Sequence, residues 1–267
     1  MTQVKQTVIQ NLITFKKTLD HSASELDIDR PIEWLNMLIH DNQLKSAHPY
    51  QRPRHYFPGL PDSAWHDPKS VPFCEKLENN AQKIASEYFG VTNSDPSSPY
   101  TQNGVNFITG TEWRAALLKS WTFKPEQCQI YPETSALLSD PDSAETAMFS
   151  VVKAGGKILP HCGPWNTRLT VHLGLSIPQE CQIRVGDEIR TWEPGLALVF
   201  DDSFEHEVWN NSDQSRVILL VDVWHPQLNL DERAILQPML KLLDDDHNDY
   251  YKVEDAIDSV KKYLSLR

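Results

Sequence analysis

The sequence of 267 residues predicts a mainly β protein with α-helices, an antiparallel sandwich or barrel wrapped by helices. Three observations predict it. From about residue 145 to 224, short β-branched or alternating runs follow one another, separated by Gly, Pro, Asn and Asp. Tight-turn signals stand between those runs. Apolar residues at helical spacing, with capping signals, occupy both flanks.

Val4, Val8, Leu12, Phe15 and Leu19 recur at helical spacing, with Lys5, Lys16 and Lys17 between them. Asp29 and Pro31 read as the N-cap and first-turn proline of a helix over Ile32–Leu44. Ser70 and Pro72 repeat that grammar for a helix ending near Gly90, a left-handed cap. Between them, Pro49–Pro61 is expected to be ordered but irregular. Asn93–Gln102 and Ser139–Glu145 read as loops. The expected strands are Thr146–Val152, Thr167–Ile177, Cys181–Val185, Glu188–Trp192, Leu196–Phe200 and Arg216–Trp224. Gly186-Asp187 and Glu193-Pro194-Gly195 are the turns between neighbours. Asp231–Leu243 and Val253–Leu264 read as closing helices.

Lys plus Arg number 25 and Asp plus Glu 37, a formal charge of −12. That balance argues against nucleic acid or an anionic membrane surface as the main partner, since both need basic footprints. No run approaches the roughly 18 apolar residues of a membrane helix. The densest, Val217–Val223, is interrupted by Asp222. The N-terminus has no signal-peptide pattern, and as a transit peptide it lacks the usual Arg and Ser richness. Cys74, Cys128, Cys162 and Cys181 form no CxxC pair, so a reducing cytoplasm is the expected location.

Among ten histidines, three fall in the β-rich part, beside turns or on strands that would line a barrel interior. They are His161 in Pro160-His161-Cys162-Gly163-Pro164, His172, and His206 at the end of Asp201-Asp202-Ser203-Phe204-Glu205. Alternate residues of a barrel strand point inward, so two imidazoles from separate strands can converge on one metal. Imidazole suits Fe, Zn, Cu or Ni. Taken singly, each is more often a surface or hydrogen-bonded core residue. Trp192, Trp209 and Trp224 read as core or rim packing, Asp244-Asp245-Asp246 as a solvated turn, and His225 as a structural hydrogen-bonding residue.

Longer runs are more specific. PHCGPWNTRLTVHLGLSIP (160–178), RTWEPGLALVFDDSFEHEVWN (190–210) and VDVWHP (221–226), with QRPRHYFPGL (51–60) upstream, resemble the aspartyl/asparaginyl β-hydroxylase family of Fe(II)- and 2-oxoglutarate-dependent oxygenases. The resemblance implies a double-stranded β-helix (jelly-roll, cupin-like) core with N-terminal and C-terminal helices packed around it. It implies a single catalytic domain over 1–267, with 1–92 mainly helical, 93–230 the β core and 231–267 the closing helices. The chain reads as a stand-alone catalytic domain, without the membrane anchor and helical repeats of the long animal enzymes.

The same resemblance implies Fe(II), with 2-oxoglutarate as cosubstrate, O2 as oxidant, and succinate and CO2 as co-products. It makes His161 and His206 the metal ligands. The carboxylate that most such iron sites add would stand two residues after the first histidine, at Gly163; the family is similar in lacking it. Asp202 is then a neighbouring acceptor that orients a ligand or a water. Arg216, ten residues after His206, would hold the far carboxylate of the cosubstrate, because a guanidinium presents two parallel donors. Ser150 would assist it, His172 would touch the chelating end, and Trp113 would pack over the cosubstrate.

One departure bears on the substrate. Thr170 stands where hydroxylases of aspartyl residues carry a second basic residue, next to the cosubstrate, while Arg168 is retained to receive substrate. The expected reaction is hydroxylation of an unactivated C–H bond in an amino-acid-like, peptidyl Asp/Asn or small-molecule substrate. Two alternatives stand beside it. A radical halogenase would use the same two histidines and admit chloride beside Gly163; a cupin-like protein would bind 2-oxoglutarate without turnover.

Overall fold

A computed structural model of the chain describes residues 3–22, 26–42, 44–91, 97–100, 108–244 and 252–266. In chain order the helices are α1 (Gln3–Ser22), α2 (Asp29–Ile39), α3 (Pro72–Asn79), α4 (Ala81–Gly90), α5 (Pro125–Ile130), α6 (Pro132–Leu137), α7 (Leu230–Leu243) and α8 (Val253–Ser265). Three short strands come first: β1 (Trp65–His66), β2 (Ser98–Pro99) and β3 (Ile108–Thr109). Then come β4 (Trp113–Ser120), β5 (Thr122–Phe123), β6 (Ser143–Val152), β7 (Lys157–His161) and β8 (Arg168–Ser176). The last five are β9 (Cys181–Val185), β10 (Glu188–Arg190), β11 (Ala197–Phe200), β12 (His206–Asn210) and β13 (Arg216–Trp224).

The chain divides into two compact units: Met1–Lys45 with Tyr56–Leu60 and Gln227–Arg267, and Ser46–His55 with Pro61–Pro226. The first is helical. Leu12, Phe15 and Leu19 of α1 and Trp34, Leu35 and Leu38 of α2 are buried in it, which follows their helical spacing. A capping box opens α7: Glu232 N–H donates to the Asn229 side chain at 2.8 Å, and Asn229 N–H donates to the Glu232 carboxylate at 2.9 Å. Arg30 donates to that carboxylate with both Nε and Nη2.

The helix boundaries differ from expectation in instructive ways. The N-cap of α2 is Ile28, so Asp29 already lies in the first turn and favours it as a negative charge near the helix N-terminus. Ser70 closes a separate 3-10 turn capped by Asp67, and Val71 precedes α3. The single helix expected up to Gly90 breaks at Asn80, and Gly90 ends α4 without a positive φ. Gly186 and Gly195 do adopt positive φ, 62° and 82°, in the expected turns. The Ser139–Glu145 loop is shorter than expected because β6 begins at Ser143. Most of Asn93–Gln102, and Asp245 and Asp246, lie outside the described residues.

The second unit holds two antiparallel sheets. The larger runs β1-β11-β8-β13-β6-β4-β2, with β5 on β4; the smaller runs β10-β9-β12-β7-β3. From β6 to β13 the chain passes back and forth between them, so that β6, β8, β11 and β13 share one sheet and β7, β9, β10 and β12 the other. That order is the jelly roll, or double-stranded β-helix. The fold is mainly β with α. The outer face of the larger sheet is covered by α3 and α4 through Phe73, Leu77 and Ile84. Among the described residues no helix is long and apolar enough to cross a membrane.

Candidate functional site

Period-two alternation in three neighbouring strands assembles the site. On β6, β8 and β13 the odd-numbered residues Ala147 and Phe149, Leu169, Val171 and Leu173, and Leu219, Val221 and Val223 join the core under the helices. The even-numbered residues therefore face the barrel interior. Ser150 on β6, Arg168, Thr170 and His172 on β8, and Arg216 and Asp222 on β13 all do so, and all line one cavity. It encloses about 620 Å³ including its open mouth. Every residue singled out from the sequence as a site residue lines it, including Trp113 and Asp202.

His161 closes β7 and His206 opens β12, and the two are direct partners in the antiparallel register. Their ring centroids are 4.1 Å apart. Each ring is fixed the same way, by Nδ1 on a backbone carbonyl two residues back: Leu159 at 2.8 Å for His161 and Phe204 at 2.9 Å for His206. A carbonyl only accepts, so Nδ1 carries the proton and Nε2 keeps its lone pair. Burial pushes His161 down to about 3, aided by the charge of His206, and pushes His206 down to about 4. Both rings are neutral at neutral pH, the form that binds a metal.

Across the cavity lie donors without acceptors. Arg216 is 1% exposed, and its Nε and Nη1 have no hydrogen-bond partner among the described residues. Burial draws its pKa down to about 10, so it stays charged. Leaving a guanidinium dry and unpaired costs several kcal/mol, a cost that an incoming carboxylate removes. Trp192 donates its indole N–H to His172 Nδ1 at 3.2 Å. An indole only donates, so the neutral His172 carries its proton on Nε2, which is buried and unpartnered. Burial, with Arg216 nearby, holds His172 well below its ordinary pKa. Trp113 Nε1–H donates to Ser150 Oγ at 3.0 Å, leaving the hydroxyl's own proton to be donated.

Arg168 is placed differently. It pairs with Glu145, with Asp202 at 3.4 Å and with Asp222 at 3.3 Å. Although burial lowers the pKa of Arg168, the three carboxylates raise it overall, Asp222 most. Its Nε has no partner among the described residues. Thr170 donates to Asp222 Oδ1 at 3.1 Å. Asp202 keeps Oδ1 without a partner, and its carboxylate fills the space beside Gly163: a Cβ at Gly163 would overlap it. A larger residue there would have to displace it.

Sequence reasoning missed Glu145 and Asp222 as parts of this site. Asp222 carried a signal, since an acid interrupting a buried apolar run needs a partner. Glu145 carried none.

The fold and the two facing histidines define a cupin-like barrel with a polar cavity. The family profile described as aspartyl/asparaginyl beta-hydroxylase matches residues 78–226, and the chain belongs to that family. It is 36% identical over 197 residues to the aspartyl/asparaginyl beta-hydroxylase of Mus musculus, covering 70% of this chain and only 26% of that protein. Against the ornithine lipid ester-linked acyl 2-hydroxylase of Rhizobium tropici it is 32% identical over 203 residues, 70% of this chain and 72% of the other. A cupin 2 conserved barrel domain protein from Rhodopseudomonas palustris overlays with a TM-score of 0.32 at 15% identity, over 59% of this chain and 92% of its own.

Proposed function

We propose that the chain is an Fe(II)- and 2-oxoglutarate-dependent hydroxylase acting on an unactivated C–H bond of an amino-acid-like, peptidyl Asp/Asn or small-molecule substrate. The observation that carries it is the buried Arg216, with two nitrogens unpartnered, in one cavity with two neutral histidine rings 4.1 Å apart. Family membership supports a hydroxylase, and the relatives, named an aspartyl/asparaginyl beta-hydroxylase and an ornithine lipid ester-linked acyl 2-hydroxylase, share hydroxylation.

The donor set fits the groups. His161 and His206 would hold Fe(II) through Nε2, each ring kept in position by its backbone carbonyl. Bound iron with 2-oxoglutarate and O2 supplies the oxidising chemistry, with succinate and CO2 as co-products. Arg216 receives the far carboxylate of the keto acid through two parallel N–H donors. Ser150 adds its hydroxyl proton, and His172 its Nε2–H. Asp202, beside Gly163, would offer its unpartnered Oδ1 as an acceptor to a water or ligand entering the same cavity. Met148, Phe200 and Leu220 line the cavity and keep it apolar between these groups, which strengthens each electrostatic contact. A radical halogenase would set chloride beside Gly163. An anionic carboxylate already holds that space, so hydroxylation is the better supported of the two.

Anaerobic titration with Fe(II) and 2-oxoglutarate is expected to give a weak visible charge-transfer band, and screening of candidate substrates to give succinate release. Both should vanish in His161→Ala and His206→Ala. Full turnover in either variant overturns the ligand assignment. Binding of 2-oxoglutarate with no succinate from any substrate points to the non-catalytic cupin-like protein instead.

A further inference from the structure

Two guanidiniums line the cavity, and only one is available. Arg216 has open donors. Arg168 is met by Glu145 from β6, Asp222 from β13 and Asp202 from the turn before β12. Three carboxylates meet one cation, in a place where Asp202 and Asp222 are 8% and 3% exposed. Burial and the neighbouring Asp202 push the Asp222 carboxyl above its ordinary value despite Arg168. Loading the site brings no cation to them: the far carboxylate of 2-oxoglutarate is matched by Arg216, and the metal would be held at the two histidines. Carboxylates therefore stay in excess beside Arg168.

A substrate carboxylate delivered there would become the fourth around a single guanidinium, with no free cation to receive it. Desolvated like charges disfavour one another strongly. Asp202 Oδ1 is a buried acceptor with no partner, and a carboxylate oxygen has lone pairs enough for a water and a substrate donor together. Arg168 Nε–H, without a partner among the described residues, suits a neutral carbonyl oxygen. Resting on the hydroxylase proposed above, we infer that the substrate group received beside Arg168, Asp202 and Thr170 is positively charged, an ammonium or guanidinium, and not a carboxylate. Arg168 is then a positioning residue that holds three carboxylates in place.

The test uses three N-acetyl amino-acid amides of matched size: 2,4-diaminobutyryl, asparaginyl and aspartyl. Each is titrated calorimetrically at pH 7 into the protein loaded with Mn(II) and 2-oxoglutarate without O2. The diaminobutyryl probe is expected to bind tightest, and the aspartyl probe at least ten-fold more weakly. The asparaginyl or aspartyl probe in first place overturns the inference. Thr170→Arg places a new cation against Asp222 and should raise affinity for the aspartyl probe at least ten-fold. If no probe binds the parent protein, that variant decides, and no gain there overturns the inference. Should Thr170→Arg not fold, Glu145→Gln takes its place: it releases part of Arg168 and should tighten the aspartyl probe several-fold, and an unchanged affinity counts against the inference. Titration of 2-oxoglutarate alone keeps the two claims apart. Its failure to bind removes the oxygenase assignment; its binding with the aspartyl probe ranked first removes only the charge preference.

Discussion

Arg216 lies over the indole of Trp192, its guanidinium carbon 5.1 Å from the ring centroid, while the same indole donates to His172. Trp192 thus orients two of the groups proposed to meet the cosubstrate. Trp192→Leu removes both effects. A cation–π contact of ~0.5–2 kcal/mol corresponds to about a 2- to 30-fold change in affinity. Titration of 2-oxoglutarate is expected to show roughly ten-fold weaker binding in Trp192→Leu and a smaller loss in Trp192→Phe, which keeps an aromatic face. Equal losses in the two variants would assign the effect to the hydrogen bond on His172 alone.

Arg216 should also oppose stability and function to one another. Its charge is buried without a counter-ion among the described residues, and its pKa is drawn down to about 10. Arg216→Met keeps much of the volume and removes the charge. The cosubstrate-free variant is expected to be more stable by about 1–3 kcal/mol, since an unsatisfied buried polar group has been removed. Urea denaturation measures that difference, and 2-oxoglutarate binding should be lost in the same protein. A less stable variant would mean that Arg216 is held by a structural acceptor.

How far the sequence reached is best seen strand by strand. β6, β8 and β13 were legible because their outward residues, such as Phe149, Val171 and Val221, are uniformly apolar while the inward ones are not. β4, WRAALLKS, was missed: its residues favour helices, and pairing with β6 overrides that propensity. β7 carries Pro160 and β12 is only five residues long, so neither shows a strand pattern, although they carry the two histidines. Long specific runs singled out His161, His206 and Arg216, and the fold brings all three to one cavity. The neutralisation of Arg168 was not, because Glu145 and Asp222 reach it from other strands, and register joins them only in the folded barrel.

Asp201 gives the folded protein a pH dependence of known sign. It is 1% exposed, accepts from Ser203 N–H at 2.9 Å and from Gln51 Nε2 at 3.0 Å, and burial pushes its carboxyl up to about 7. The folded state therefore holds the proton more tightly than the unfolded chain. The stability this contributes is fully present below the ordinary carboxyl value of 3.8 and is lost as pH rises through about 7. Asp201→Asn removes the titration, and Gln51 can turn its amide so that the partnerless Oε1 accepts from the new side chain. The stability of the parent relative to the variant should fall by roughly 2–4 kcal/mol between pH 4 and 8, at ~1.4 kcal/mol per pKa unit. His161 and His206, with lowered pKa values, act in the opposite sense below their ordinary value of 6.5. The difference between the two denaturation series isolates Asp201; a flat difference would mean that its carboxyl ionises as in the unfolded chain.

Gly163 and Asp202 occupy one space, and their substitutions should not add. The Gly163 N–H donates to the Asp202 carbonyl at 2.6 Å, and a Cβ on Gly163 would overlap the Asp202 carboxylate. Gly163→Ala alone forces that carboxylate away from Arg168 and is expected to cost about 1–3 kcal/mol, the range for overpacking. Asp202→Ala alone relieves some of the like-charge crowding around Arg168 but opens a gap beside Gly163. In the double variant the alanine methyl at 163 enters the gap, so the second substitution should cost much less than it does in the parent. A double-mutant cycle by urea denaturation is expected to give a favourable coupling of roughly 1–3 kcal/mol, as found for residues sharing one site. Simple additivity would show that the two side-chain positions do not compete, and would reopen the space beside His161 to an exogenous anion.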